Sequence, residues 1–130
     1  MVETEASLAL YEVDYKDQNY TKRDVYSYYC GEQDQSRDSR LQYAAGLLVV
    51  RKTSGVMSFL KNWERGMQNF TMLNDSPSLL PNHAGFQYHL HDQSILSILL
   101  KCRYNDAYQK RQTFDGAASL TDWSVHMFQL

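Results

Sequence analysis

The chain has 130 residues, of which 43% are hydrophobic and 22% are charged, and its formal net charge is -2. This length and balance predict one globular domain spanning residues 1–130 and exclude wholesale disorder. Nucleic acids and anionic membrane surfaces attract clustered positive charge, so we predict neither as a partner.

The cysteines and the hydropathy pattern bear on the cellular setting. Cys30 and Cys102 stand far apart without metal-type spacing, which predicts neither a disulfide nor a zinc site and favours a reducing, cytoplasmic environment. We predict no membrane span, since no stretch approaches the ~20 apolar residues required, and the first residues lack the basic region of a signal peptide. Three tripeptides match the glycosylation pattern, at Asn19, Asn69 and Asn74, and without an export signal we interpret them as chance matches.

The first thirty residues predict a strand followed by a short helix. Ser7–Tyr15 alternates in part between apolar and polar side chains, as a strand does. Thr21, with Asp24 three residues later, resembles a capping box and predicts a helix from about Lys22 to Tyr29. Gly31 is expected to end this helix.

The next segment is first polar and then apolar. Residues 31–40 are highly polar and predict a solvated loop. The nearly unbroken apolar run Leu41–Lys52 suits a strand covered on both faces, as in an α/β sheet. The small residues at positions 44–46 leave room for a close approach to the backbone, or equally serve helix packing.

The segment Gly55–Asn69 predicts the first principal helix. Its apolar side chains recur every three or four residues and predict a buried stripe, made of Val56, Phe59, Leu60, Trp63, Met67 and Phe70. Residues 73–90 contain both prolines and predict a long irregular connection. Long ordered loops inside a compact domain are often functional.

That connection leads into a polar block and a second principal helix. Apolar spacing predicts a buried helix from Asp92 to Lys101. Asp92 therefore lies at a helix N-terminus, where free N–H groups and the helix dipole favour an ionised carboxylate. A Gly-containing turn is predicted at Asp115-Gly116. The whole pattern predicts an α/β fold with a small mixed sheet flanked by helices.

The residues of the block allow two readings. His89 and His91, two positions apart in an extended segment, point to the same side and are compatible with a metal site near Asp92. Alternatively, Asp92 caps the helix while both histidines hydrogen-bond to loop carbonyls. No third distant ligand is evident, and no Gly-rich phosphate loop, Cys-x-x-Cys, His-Glu-x-x-His or Gly-x-Ser-x-Gly motif occurs.

Several short motifs follow one another along the chain: Thr21–Asp24 (TKRD), the apolar stretch Gln42–Lys52, the helix with Trp63, the turn Asn74–Pro77 and HLHDQSILSILLK at His89–Lys101. Their order resembles a family of glycosyltransferases with a GT-A-like α/β fold. Family members carry a Thr-Lys-x-Asp segment, a Gln-x-x-Ala/Gly strand, a Trp-containing helix and a His-Arg-His-Asp-Gln-Ser-Ile block. The resemblance covers about residues 7–105, and the last block is its specific part.

The resemblance implies transfer of a sugar from a nucleotide-sugar donor to a glycan or polysaccharide acceptor. It implies that Asp92 orients or deprotonates the acceptor hydroxyl and that Gln93 faces the reacting sugar carbon, as catalytic residues. It further implies a set of substrate-binding residues, namely His89, His91, Ser94, Lys22, Asp24 and Gln42. A divalent metal, manganese or magnesium, is implied as the group that neutralises the diphosphate, and no residue of this chain is named as its ligand.

Two departures from the family pattern qualify this expectation. Leu90 stands where the family usually has arginine, and nothing resembling the family's N-terminal nucleotide-binding half precedes Ser7. The chain therefore resembles the C-terminal, acceptor-side portion of a catalytic domain. This predicts either a separate donor-binding half or self-association through unpaired sheet edges. The alternatives are a non-catalytic carbohydrate-binding or assembly module and a truncated product.

Overall fold

The computed structural model describes residues 7–31, 40–104 and, for the backbone alone, 109–112. These residues form a four-stranded sheet and four α-helices. Strand β1 (Leu8–Lys16) pairs with all three other strands, antiparallel to β2 (Leu41–Tyr43) and β3 (Val49–Val50) and parallel to β4 (Gln109–Gln112). The predicted α/β class is confirmed.

The apolar run at 41–52 does not form the single strand that was predicted. It divides into β2 and β3, and the backbone bends between them at Ala45 and Gly46. Tyr43, Ala45 and Leu48 are all buried in the core. In a regular strand successive side chains point to opposite faces of the sheet, so a straight strand would place Tyr43 and Leu48 on different faces. The bend between them allows both to pack in the same core.

Helix α1 (Arg23–Cys30) starts and ends within one residue of the prediction, and Gly31 follows it with a left-handed φ of 64°. The predicted capping box is wrong, because Lys22 is the N-cap and no side chain caps the helix. The hydroxyl of Thr21 is instead turned inward to the Gln42 amide.

The helical segment after β3 is broken in two. Helix α2 (Ser54–Met67) is capped by Thr53, whose hydroxyl accepts a hydrogen bond from the Val56 N–H at 3.2 Å. Helix α3 (Phe70–Leu73) follows after a break. The predicted stripe is buried at Val56, Phe59 and Trp63, but Phe70 lies beyond the break and is 73% exposed, so its assignment to the core is wrong.

Helix α4 (His91–Arg103) runs through the centre of the fold. It contacts α1, α2, α3 and β2, and its residues from Ser94 to Lys101 are all buried. Asp92 lies in its first turn, as predicted. Lys101, near the other end, forms a buried ion pair with Asp17 and donates to the Leu41 carbonyl at 2.6 Å, which ties the helix to the sheet.

The cysteine prediction is wrong, because Cys30 and Cys102 form a disulfide between the C-terminal ends of α1 and α4, with their Cα atoms 5.2 Å apart. Arg103 closes the same junction, donating to the carbonyls of Tyr28 (3.0 Å) and Tyr29 (2.8 Å). A wide separation in sequence did not exclude pairing, since the two helices pack side by side. The cytoplasmic location stays a prediction that the cysteines no longer support.

Two further predictions concern parts of the chain with little or no description. Residues 32–39 of the predicted polar loop lie outside the described residues, as does the turn at Asp115-Gly116. Within the residues that are described, no helix is both long enough and apolar enough to cross a membrane.

Candidate functional site

The polar block identified in the sequence forms the start of α4, where the backbone is unusual. Leu90 is the N-cap, and His91, the first helical residue, has a φ of 53°. A positive φ is uncommon for residues other than glycine and occurs often at functional sites. The Ser94 hydroxyl accepts a hydrogen bond from the Leu90 N–H at 3.0 Å and donates to the Tyr20 carbonyl at 2.6 Å. The helix start is therefore fixed to the segment that precedes α1.

Gln42 lies at the centre of a buried hydrogen-bond network beneath this helix start. Its amide nitrogen is 3.1 Å from each of three oxygens, the Tyr20 carbonyl, the Thr21 hydroxyl and the Ser94 hydroxyl. Its amide oxygen accepts from the Gln93 amide at 2.8 Å. Three of the predicted site residues, Gln42, Gln93 and Ser94, thus bond to one another inside the protein.

His89 is almost completely buried and both of its ring nitrogens are engaged. Nδ1 accepts from the Lys22 backbone N–H at 3.1 Å, and Nε2 lies 2.6 Å from the Met72 carbonyl. Both bonds form together only when the ring is neutral and Nε2 carries the hydrogen. Burial lowers the pKa of His89 from 6.5 to about 4, which keeps the ring neutral. In this arrangement His89 links the backbone at Lys22 to the backbone at Met72.

Lys22 and Asp24 attach the long connection to the start of α1. The Lys22 side chain is buried, and its ammonium donates to the Thr71 carbonyl and, at 3.3 Å, to the Asn74 carbonyl. The Asp24 carboxylate accepts from the N–H groups of Leu79 (3.0 Å) and Leu80 (3.2 Å). These charged groups therefore shape the connection that forms the wall of the site.

His91 and Asp75 form an accessible pair beside the helix start. The His91 Nε2 and an Asp75 carboxylate oxygen are 2.7 Å apart, and the His91 side chain is about half exposed while that of Asp75 is largely exposed. Asp75 accepts a hydrogen bond from the Nε2–H group, which leaves Nδ1 of a neutral ring as an acceptor. This pair resembles the arrangement in which a carboxylate orients an imidazole base.

A cavity of about 470 Å³ opens at this pair. His89, His91 and Lys22 line it, so it brings together three of the predicted site residues. The rest of its wall comes mainly from the irregular connection and combines hydroxyl and amide groups with two aromatic rings, at Ser76, Ser78, Asn82, Gln87, Phe86 and Tyr88. Its size lies within the range of small-molecule sites.

Three tyrosine rings continue from one side of the cavity. Tyr88 packs edge-to-face on Tyr20, and Tyr20 does the same on Tyr15, with ring centroids 5.1 Å and 4.9 Å apart. Tyr88 is 54% exposed. Its loop is held in place by hydrogen bonds from the Gln87 N–H to the Asn19 carbonyl (2.7 Å) and from the Leu90 N–H to the Tyr20 carbonyl (3.2 Å). The exposed ring is thus fixed beside the cavity.

The remaining predicted residues lie elsewhere. Asp92 does not line the 470 Å³ cavity. It is half-buried in the first turn of α4, and its backbone carbonyl accepts a hydrogen bond from the Trp63 indole N–H at 3.0 Å. Asp24 lines a neighbouring cavity of about 400 Å³. The catalytic roles of Asp92 and Gln93 stay predictions.

Sequence reasoning did not identify Asp75 and Tyr88 as site residues. Both lie in the irregular connection, where no periodic pattern marks the orientation of a side chain. Two signals pointed to this connection: its length, since long ordered loops are often functional, and the turn Asn74–Pro77, which contains Asp75 and is one of the motifs of the resemblance.

The described residues do not fit the divalent metal that the resemblance implies. Among them, no three His, Cys, Asp or Glu side chains are grouped closely enough to hold an ion. Magnesium prefers oxygen ligands, and of the described residues that line the cavity only Asp75 carries a carboxylate. We assign no residue to a metal and derive no step through one.

Comparison with known proteins found no relatives. No protein-family model matches the chain, and no curated protein or solved structure compared with it is detectably similar. The relation to glycosyltransferases therefore depends on the sequence motifs alone and stays a prediction.

Proposed function

We propose that the chain binds a carbohydrate acceptor in the 470 Å³ cavity and is the acceptor-side portion of a sugar-transferring enzyme. The observation that carries this proposal is the composition of the cavity wall, which combines hydroxyl and amide groups, an imidazole–carboxylate pair and the exposed ring of Tyr88.

A sugar matches this wall in two ways. Its hydroxyl groups both donate and accept hydrogen bonds, and the polar side chains of the wall keep further hydrogen-bonding capacity beyond their bonds within the chain. The Asn82 amide oxygen, for example, accepts from the Ser78 hydroxyl at 2.7 Å, while its amide nitrogen bonds to no described residue. One face of a pyranose ring presents C–H groups, which pack on an aromatic face such as that of Tyr88. The Lys22 ammonium already donates to backbone carbonyls, so the cavity does not offer the cluster of cations that a highly charged ligand favours.

His91 is the residue best placed to take a proton from an acceptor hydroxyl. It lines the cavity, and its Nε2–H is held by Asp75 at 2.7 Å, so Nδ1 can accept the hydroxyl proton as the oxygen attacks a donor sugar. Asp92, the carboxylate suggested by the family motif, is the alternative base. The donor nucleotide-sugar and its metal would bind a donor-side half supplied separately, since the described residues do not fit the metal.

A second function, carbohydrate binding without catalysis, is favoured by one specific observation. Gln42, Gln93 and Ser94 bond to one another, and Asp92 does not line the cavity. Of the described residues that line the cavity, His91 and Asp75 are the pair best suited to proton transfer. Sugar binding is common to both functions, and turnover with the donor half present separates them.

Binding is tested first, by saturation-transfer difference NMR with methyl glycosides of glucose, galactose and mannose and with maltose, cellobiose and lactose. We expect transfer to at least one of these sugars, lost in Tyr88→Ala and kept in Phe70→Ala. Phe70 is a matched control, because it is an exposed aromatic residue outside the cavity wall. If none of the sugars receives saturation from the wild-type chain, the proposal fails.

Turnover is tested next, by measuring nucleoside diphosphate released from UDP- and GDP-hexoses with Mn²⁺ and the sugar that binds. Release that falls at least tenfold in His91→Gln but not in Asp92→Asn would identify His91 as the base. The reverse result would support the role implied by the family motif. Release by the isolated chain would exclude the non-catalytic function, whereas sugar binding without release is expected both of a non-catalytic module and of an acceptor-side portion whose donor half is missing.

A further inference from the structure

The three tripeptides with the glycosylation pattern have different surroundings in the folded chain. At the first, Thr21 is fully buried and its hydroxyl bonds to the Gln42 amide. The Asn19 amide oxygen packs close to Gly85, only 3.2 Å from where a Cβ atom would lie. The hydroxyl of the third residue of this tripeptide is therefore taken up inside the fold.

The tripeptide at Asn74 is exposed but lies at the proposed sugar cavity. The Asn74 amide oxygen accepts a hydrogen bond from the Ser76 N–H at 3.0 Å, and Asp75 and Ser76 both line the cavity. A glycan here would stand at the cavity mouth. Glycosylation of Asn74 and binding of a second sugar would therefore exclude each other.

A glycan on Asn69 would break no hydrogen bond among the described residues. The Asn69 amide oxygen accepts from the Met72 N–H at 3.4 Å, and its amide nitrogen makes no hydrogen bond to a described residue. The hydroxyl of Thr71, the third residue of the pattern, is likewise unengaged among the described residues, while its backbone carbonyl accepts from Lys22. A bond to the amide nitrogen would leave all of these contacts in place.

Asn69 also lies within exposed apolar surface. It lines the 400 Å³ cavity together with Tyr28, Leu79 and Leu80, of which Leu79 is 83% exposed, and the next residue in the chain is the exposed Phe70. Contiguous exposed apolar surface usually has a partner that covers it. The C–H faces of a glycan attached at Asn69 would cover this surface.

The disulfide identifies a setting in which such a pattern is used. Disulfides between buried helix ends form and persist in oxidising compartments and are rare in the cytosol. In the oxidising secretory route of eukaryotic cells, Asn-x-Ser/Thr is the acceptor for oligosaccharide. The absence of a recognised export signal was the reason for discounting the pattern, and the Cys30–Cys102 bond outweighs that reason.

We propose that the chain matures in an oxidising secretory compartment and carries an N-linked glycan on Asn69, with Asn19 unmodified. In the reaction, the Asn69 amide nitrogen attacks the anomeric carbon of a lipid-diphosphate-linked oligosaccharide. The C–N bond forms, the C–O bond to the diphosphate breaks, and the nitrogen loses one proton. The lipid diphosphate is the leaving group.

To test this proposal, the full chain is expressed behind a secretion leader in cultured eukaryotic cells. Intact mass is compared before and after treatment with peptide-N-glycosidase, which converts a glycosylated Asn to Asp, and peptide mapping locates the change. Thr71→Ala removes the acceptor pattern and Thr71→Ser keeps it, so these two variants form a matched pair. Mapping without reductant reports the Cys30–Cys102 bond.

We expect a glycan on Asn69 in the wild type and in Thr71→Ser, none on Asn69 in Thr71→Ala, an unmodified Asn19, and a Cys30–Cys102 bond throughout. A secreted chain with an unmodified Asn69 would overturn the proposal, whether or not Asn74 is occupied. Free thiols at both cysteines would overturn its compartment step, and a glycan on Asn19 would overturn the packing argument.

Discussion

Removal of the Cys30–Cys102 disulfide should lower stability strongly while leaving the folded structure in place. The bond joins two helices that already pack together, and Arg103 continues to bind the terminal carbonyls of α1 after the bond is lost. The effect should therefore fall mainly on the unfolded chain, which becomes free to expand.

The size of the effect follows from the loop that the bond closes. The cysteines are 72 residues apart, and a closed loop of this length restricts the unfolded chain by about 4 kcal/mol. An unfolding entropy of about 2 cal/mol/K per residue converts this to a fall in Tm of roughly 15 °C for a chain of 130 residues.

The disulfide can be removed either by substitution or by reduction, and comparing the two gives a controlled assay. The double variant Cys30→Ser/Cys102→Ser and the wild type with a phosphine reductant are compared with the oxidised wild type by calorimetry and urea unfolding. Both should melt roughly 15 °C lower, and the variant should not respond to the reductant. A wild-type Tm that changes by less than about 3 °C on reduction would refute the loop-entropy reasoning.

Two further predictions concern buried polar groups. The pKa of His89 is about 4 in the folded chain and 6.5 in the unfolded chain. Its contribution to the free energy of unfolding is therefore fully present above pH 6.5 and falls by about 3 kcal/mol as the pH is lowered towards 4. Urea unfolding between pH 7.5 and 4.5 should show this loss in His91→Gln but little of it in His89→Gln. If the free energy of unfolding changed equally with pH in the two variants, the loss could not be assigned to His89. Gly66→Ala should lower the free energy of unfolding by about 2 kcal/mol, because the added Cβ would lie 2.1 Å from the Tyr29 hydroxyl oxygen. That hydroxyl is buried and has no hydrogen-bond partner among the described residues, so Tyr29→Phe should be tolerated and should rescue most of the loss. Additive effects in the double variant would argue against a direct clash.

The site proposal assigns two kinds of role to the residues of the family-like block. His91 faces the cavity, whereas Gln93, Ser94 and Gln42 hold the start of α4 against the segment before α1. Substitution of the internal residues would change activity through the structure. Loss of sugar binding at an unchanged Tm therefore distinguishes a cavity residue from a residue of the network.

Local pattern determined the positions of most helices and the first strand. The three-to-four residue spacing of Val56, Phe59 and Trp63 identified α2, Gly31 identified the end of α1, and the apolar block after Asp92 identified α4. The spacing identified α2 because burial of one helix face repeats every three to four residues. The unbroken apolar block identified α4, which is buried on all sides, and Gly31 marks the end of α1 because glycine readily adopts a positive φ. The α/β class followed from the same patterns.

Contacts between distant segments were decided only by the tertiary structure. The cysteine pair depends on how α1 packs against α4, and the division of the 41–52 run depends on which of its side chains the core can accept. Asp75 meets His91 across 16 residues because Lys22 and Asp24 fold the irregular connection back onto the helix start. Irregular backbone has no periodic pattern, and the distances between distant segments are set by packing. The sequence alone therefore indicated the polar block at the start of α4. The cavity beside that block is visible only in the tertiary structure.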